Sequence, residues 1–297
     1  MARIPEFKPD NFKKIINVVR LDTKSIFSDF LIEPLTSLNE TAVLPSVPHR
    51  KTVNDFVFIT KGELSKMVCS DVFVLKSGML MLLPAYKIRT ILKKAGNIEG
   101  YYGHFSNHFI NDLSSQKKLK EISNYIELIY NPVFSFDKET TNRIQYVLQQ
   151  LLLLYEKDTG NSLLKSYLNT LLNEIANFIQ TLPLPVFSPK EALIQRFRRL
   201  IANNIQKTHK LQVYAEMLNI TTNHLNKCAK SVTGKTSSAI INEALTMEAK
   251  ALLSLSNHTI SEAAFVLGFE DVSYFSRFFK KHSGLQPSEY RKMIDLS

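Results

Sequence analysis

The sequence predicts an α+β multidomain protein: an N-terminal antiparallel β barrel with helices packed on it, then an all-α region of two helix–turn–helix units. Three observations carry this. From about Val18 to Phe109, β-branched and aromatic runs alternate with turn signals; after Phe109 the apolar period becomes helical; and the last third contains one pattern twice, offset by 49 or 50 residues.

In the first region NDFVFIT and SDVFVL are separated by KGE, KSG and AGN. Gly62 and Gly78 end two such runs, and MLMLLP closes on Pro84, as short antiparallel strands of a barrel would. Beyond Phe109, Leu119, Ile122, Ile126 and Ile129 recur at helical spacing. So do Ile144, Val147, Leu148, Leu151 and Tyr155, and then Leu164, Leu168, Leu171, Leu172, Ile175 and Ile179. These predict two or three amphipathic helices, with stripes wide enough to cover the barrel and leave a seam for a second subunit. Packing inside one chain explains the stripes equally well.

TLPLPVFSPK, Thr181 to Lys190, holds three prolines in ten residues and divides the chain into residues 1–183 and 188–297. Ser188, Pro189 and Glu191 read as N-cap, first helical residue and capping-box partner of a helix through about Gln206.

The repeat pairs LQVYAEMLNITTNHLNKCAKSVTG, from Leu211, with ISEAAFVLGFEDVSYFSRFFKKHSG, from Ile260. Ala215 matches Ala264, Leu218 matches Leu267, Leu225 matches Phe275, Lys227 matches Arg277, Lys230 matches Lys280 and Gly234 matches Gly284. Each copy reads as a short helix, a tight turn and a longer helix, with Asn219 or Gly268 taking the left-handed turn position. A helix–turn–helix lays its second helix in the major groove of DNA. Between the copies, SSAIINEALTMEAKALLSLS reads as a helical spacer about 25 Å long, suited to grooves about 34 Å apart.

Composition bounds the partners. A net charge of +10 favours an anionic partner, and 44% hydrophobic with 22% charged residues is globular. The start, MARIPEFKPDNFKK, lacks the apolar core of a secretory signal, and runs such as LLLLY are far short of a membrane span, so a soluble, cytoplasmic protein with no membrane partner is expected. Cys69 and Cys228 lie far apart, outside any CxxC motif.

The order of LQVYAEMLNI, TTNHLNKCAKSVTG, the connecting helix and TISEAAFVLGFEDVSYFSRFFKKHSGLQPSEYR resembles the AraC/XylS-type bacterial transcription regulators. The resemblance covers roughly Lys190 to Lys292; its A-x-x-x-G-F, S-x-F-x-R-x-F-K and P-x-E-Y-R elements fall in register together. It implies a sequence-specific DNA-binding transcription regulator, with a second copy in a homodimer, RNA polymerase and a small-molecule effector as candidate partners; the label activator goes with this reading, while activation and repression both stay open. The N-terminal part is more loosely similar to a cupin-like sensing barrel followed by dimerising helices.

On the first reading helix, Leu225, Cys228 and Ala229 face the core, and Asn223, Asn226, Lys227 and Lys230 face out. Asn suits adenine, and Lys suits guanine or phosphate. By resemblance, Asn223, Asn226 and Lys227 touch bases. The second copy offers Val272, Ser273, Ser276, Arg277 and Lys280, with Arg277 the best fit to guanine O6 and N7. Phe275, Phe278 and Phe279 read as core, and Pro287, Glu289 and Tyr290 as the anchored start of a last helix. Arg196, Arg198, Arg199, Lys207 and Lys210 suit phosphate contacts or a solvated face equally. Glu270 and Asp271 favour the helix dipole but repel phosphate.

His49, His104 and His108 are the candidate metal ligands of the barrel. No HxH or HExxH occurs, AYKIRTI lacks the histidine usual beyond that strand in metal-binding cupins, and no phosphate loop or GxSxG elbow stands out; no metal, cofactor or catalytic site is expected. Two rivals stay open: a cupin metalloenzyme fused to a DNA-binding module, and a sequence-blind architectural DNA binder.

Overall fold

The computed structural model describes residues 29–36, 44–69, 71–110, 112–157, 161–183, 185–254 and 258–295; the strand region expected before residue 29 lies outside them. Seven strands follow: β1 (Phe30–Pro34), β2 (His49–Arg50), β3 (Asn54–Val68), β4 (Asp71–Lys76), β5 (Met79–Leu83), β6 (Ile88–Phe105) and β7 (Val133–Ser135). They form one antiparallel sheet in the order β1-β6-β3-β5-β7, with β2 also on β6 and β4 on β3.

β3 and β6 are the long strands, and their ladder breaks register between Ile59 and Lys61, Lys61 and Glu63, and Ser65 and Lys66. Such irregularities bend and twist a strand pair. The bend brings distant ends together. Asp55 lies opposite His104 and Arg89 opposite Val68, yet an Asp55 carboxylate oxygen sits 2.5 Å from the Arg89 guanidinium. Thus the sheet curls over its inner face.

Alternation assigns the two faces. Val57, Ile59, Met81 and Leu83 point inward with Leu64, Leu75 and Ile98. Phe56, Phe58, Leu80 and Leu82 point outward under three helices, α1 (Leu113–Ile129), α2 (Lys138–Glu156) and α3 (Asn161–Thr181). The outer core contains Ile122, Ile126, Ile144, Leu148, Leu151, Leu168, Leu172 and Ile175, the residues whose period predicted helices. Asp112 and Asp137 cap α1 and α2 by accepting from the backbone N–H groups of Ser115 and Thr140.

His49 lies 4% exposed at the rim of the inner face, with Nδ1 donating to the Val47 carbonyl over 2.8 Å. Burial first, then the Lys51 charge, lowers its pKa to about 3. The unfolded chain therefore takes up a proton at about pH 6.5 that the folded chain refuses until about pH 3, so stability falls as pH drops through that window. Between pH 7 and pH 5 this histidine is expected to remove about 2 kcal/mol. Urea titrations at both pH values should show a flatter difference in His49→Gln; an unchanged difference would exclude His49 as its source.

The remaining helices are α4 (Pro189–Asn204), α5 (Leu211–Met217), α6 (Thr222–Thr233), α7 (Ser237–Leu253), α8 (Ile260–Val266), α9 (Val272–Ser283) and α10 (Pro287–Asp295). α4 begins with the expected capping box, in which the Ser188 hydroxyl accepts from the Glu191 N–H and the Glu191 carboxylate accepts from the Ser188 N–H. Ile194, Phe197, Tyr214, Leu225, Leu245, Phe275, Phe279 and Tyr290 share a core separate from those of the sheet.

α7 is more than the spacer its sequence suggests. It is apolar nearly all round, and such a helix is buried on more than one side. Ile241, Leu245 and Leu252 enter the α-helical core, while Met247 and Ala251 pack on Ile88 and Met67 of the sheet. Beside them the Arg50 guanidinium donates to Glu248 at 2.6 Å. Arg198 of α4 pairs with Asp71 at 3.1 Å and lies over the Tyr130 ring. This corrects its reading as a phosphate-contacting or freely solvated residue: its charge is engaged at the junction with the sheet.

Candidate nucleic-acid interface

The α5–α6 and α8–α9 units are built by the same local devices. After the first helix of each, Asn219 (φ 55°) and Gly268 (φ 76°) take the left-handed conformation. The following N–H then turns back: Ile220 donates to the Ala215 carbonyl and Phe269 to the Ala264 carbonyl, both at 3.0 Å. Both alanines are buried, so a larger side chain would meet the packed core at this crossing. α6 is capped by Thr221 and α9 by Asp271, which accepts from the Ser273 N–H at 2.7 Å. Gly234 and Gly284 end the two helices with N–H donation to the carbonyls of Lys230 and Lys280.

This construction fixes which face the second helix of each unit shows. Leu225, Cys228 and Ala229 of α6 are buried, as are Phe275 and Phe279 of α9. Phe278, expected in the core, is only half-buried, because its ring lies between Phe269 and His282 at the edge of the domain. Tyr290 anchors α10 edge-on against Phe279, and Glu289 accepts from the Gln286 N–H.

Six of the sequence-selected residues are exposed in matched pairs: Asn223 with Ser273, Lys227 with Arg277, and Lys230 with Lys280. The other three sit lower. Asn226 is half-buried and its side-chain oxygen accepts from the Ser237 N–H at the start of α7. Ser276 is half-buried with its hydroxyl donating to the Val272 carbonyl, and Val272 itself leans on the core. Sequence reasoning overlooked His224 and Tyr274, which occupy one matched position and are both exposed. The 50-residue offset that pairs Lys227 with Arg277 also pairs these two planar rings.

The electrostatics of the faces agree in sign. Lys227 and Lys230 on α6, and Arg277, Lys280 and Lys281 on α9, are exposed and form no ion pair among the described residues. The Asp271 carboxylate is held by its helix cap. Burial, then the neighbouring Lys281 charge, lowers the His282 pKa. Arg196, Arg199, Lys207 and Lys210 are exposed on or after α4. Among the described residues no three His, Cys, Asp or Glu side chains are grouped to hold a metal ion.

The Helix-turn-helix domain family matches residues 214–293, from the buried Tyr214 of α5 into α10. The C-terminal region is an AraC-type helix–turn–helix domain. The chain is 24% identical over 249 residues to the HTH-type transcriptional regulator YisR of Bacillus subtilis (strain 168), covering 82% of this chain and 87% of the relative. It is 26% identical over 280 residues to the lactose operon transcription activator of Staphylococcus xylosus, covering 89% and 90%. With the transcriptional activator RhaR of Salmonella schwarzengrund it shares 27% identity over 108 residues, only 38% of that relative. The crystal structure of ToxT from Vibrio cholerae matches over 90% of this chain and 98% of its own, at 16% identity and a TM-score of 0.40. An AraC-type domain on a chain with these relatives makes the protein a DNA-binding transcription regulator.

Proposed function

We propose that α6 and α9 of the AraC-type domain read one duplex in successive major-groove segments. Asn223, Lys227 and Lys230 supply the first set of contacts and Ser273, Arg277 and Lys280 the second. Asn226, Val272 and Ser276 shape the groove-facing edge. The observation that carries this reading is the position-by-position match of two exposed, uncompensated cationic rows on the second helix of each unit. Arg196, Arg199, Lys207 and Lys210 position the domain on phosphates.

The division of labour follows the same line. Residues 188–297 bind DNA, and residues 1–183 form a cupin-like sensing and dimerising domain whose curled inner face receives a small-molecule effector. Tyr146, Leu153 and Leu163, exposed on α2 and α3, supply apolar surface for a homodimer. The assignment is regulatory rather than catalytic, in the cytoplasm, with RNA polymerase as the partner of an activator. No helix among the described residues is long and apolar enough to cross a membrane.

Selection of duplexes from a random pool by the full-length protein tests sequence reading; recovery of no common sequence would leave a sequence-blind binder. On the selected duplex, Arg277→Ala is expected to cost about 1 to 3 kcal/mol and to relax preference at one base pair. Lys207→Ala should instead weaken all duplexes alike and reduce the salt slope by about 1. Titrations in which Arg277→Ala weakens selected and random DNA equally would remove its base-reading role.

A further inference from the structure

The junction between the sheet and the helical region is not packed throughout. Beside the Arg50–Glu248 pair it leaves a cavity of about 360 Å³. From the sheet side Arg50, Cys69, Tyr86, Lys87 and Ile88 line it, and Glu127 and Tyr130 do so from the end of α1. The remaining wall is α4 and α7, through Arg198, Ile201, Ile205, Ile240, Met247 and Glu248.

The backbone is strained around this space. Cys69, Tyr86 and Tyr130 hold φ of 54°, 66° and 56°, and they are three of the four non-glycine residues in the left-handed region among the described residues. A side chain disfavours that region by about 1 to 2 kcal/mol, and residues held there concentrate at ligand sites. Each ends an element at the cavity wall: Cys69 follows β3, Tyr86 lies between β5 and β6, and Tyr130 closes α1. Glycine would relieve all three turns, but it would also take a thiol and two phenol rings away from the cavity.

The charges decide what fits. Every charged side chain on the wall has a partner of opposite sign: Arg50 with Glu248 at 2.6 Å, Lys87 with Glu127 at 3.7 Å and Arg198 with Asp71 at 3.1 Å. A charged ligand would have to break a pair and leave its other half poorly compensated, whereas a neutral one disturbs none. Ile201, Ile205, Ile240 and Met247 are buried aliphatic surface, which water fills poorly. The Tyr130 hydroxyl, the Cys69 thiol and the Asn203 amide add uncharged hydrogen-bonding groups, and burial pushes the Tyr130 and Cys69 pKa values up.

We propose that this junction cavity binds a neutral small molecule with an apolar ring and one hydroxyl or amide edge. The site is separate from the inner face of the sheet and does not depend on the effector reading of that face. Its occupant touches both regions at once, so it braces α4 and α7 against the sheet.

The test uses the full-length protein at constant ionic strength and pH 7, with benzyl alcohol, benzoate and benzylammonium as probes of one shape and three charges. Two side chains report. Met247 lines the cavity and Met81 points into the sheet's inner face, so NMR of methyl-labelled methionines separates the two places. Cys69 lines the cavity while Cys228 is buried elsewhere, so mass spectrometry of maleimide labelling at Cys69 measures access. Benzyl alcohol should shift the Met247 signal saturably and spare Met81. At about 10 mM it should slow Cys69 labelling about threefold, the factor 1 + [L]/Kd for a Kd of about 5 mM. Benzoate and benzylammonium should do neither, and Ala244→Phe, which fills the cavity from α7, should abolish both responses. Should Ala244→Phe fail to fold, the two wild-type readouts decide. Absence of either response to benzyl alcohol, an equal response to a charged probe, a shift at Met81 instead of Met247, or an unchanged response in folded Ala244→Phe overturns the proposal.

Discussion

Phe279→Ala is expected to destabilise the DNA-binding region by about 3 to 5 kcal/mol, the usual cost of emptying a fully packed aromatic position. Phe279 is completely buried, 6.0 Å from the Phe275 ring and 5.5 Å edge-on from Tyr290, so its loss opens the wall between the second unit and α10. The neighbouring core has little freedom to collapse, since Phe275, Ala263 and Leu267 are also fully buried. Urea unfolding should show the loss, and binding should weaken toward selected and random duplexes alike. Arg277→Ala, two positions earlier on the exposed face, should leave the unfolding midpoint within about 0.5 kcal/mol of wild type. If Phe279→Ala keeps both its stability and its affinity, the described packing of α9 is wrong.

The second large effect is expected at Glu248, where α7 meets the sheet. Glu248→Ala leaves the Arg50 guanidinium half-enclosed with no carboxylate, and breaking one side of a buried pair costs about 3 to 5 kcal/mol. Burial raises the Glu248 pKa while Arg50 opposes that rise, so the pair is held by geometry against a desolvation penalty. An apolar replacement of both partners removes that penalty. Arg50→Met combined with Glu248→Met should therefore regain most of the stability lost in Glu248→Ala, because Met67, Ile88, Met247 and Ala251 already supply an apolar setting. Urea titrations measure the cycle, and small-angle X-ray scattering should show an expanded particle only for Glu248→Ala. A loss below about 0.5 kcal/mol in that variant would mean that the pair does not hold the junction.

Much of the DNA-binding region could be read from the chain. Ser188, Pro189 and Glu191 start α4 as expected because a capping box is a matter of three neighbouring residues. Asn219 and Gly268 turn left-handed because the choice is made by one backbone position. The outward rows of α6 and α9 followed from helical period alone. Asn226 and Phe278 departed from the simple inside–outside division because their placement depends on neighbours outside their own helix, the first turn of α7 for Asn226 and Phe269 for Phe278, whereas the Ser276 hydroxyl turns back to the Val272 carbonyl of its own helix. His224 and Tyr274 went unread because an imidazole and a phenol carry no charge pattern to mark them.

The sequence by itself determined the helical periods, the turn positions, the repeated unit and the surplus of positive charge, all properties of residues near one another in the chain. Only the tertiary structure decided that Arg198 turns to Asp71, that α7 packs on the sheet as well as in the helical core, and that Asp55 meets Arg89. The physical reason is the curl of β3 and β6. Its direction is set by packing on both faces at once, and it brings together side chains that local patterning leaves far apart.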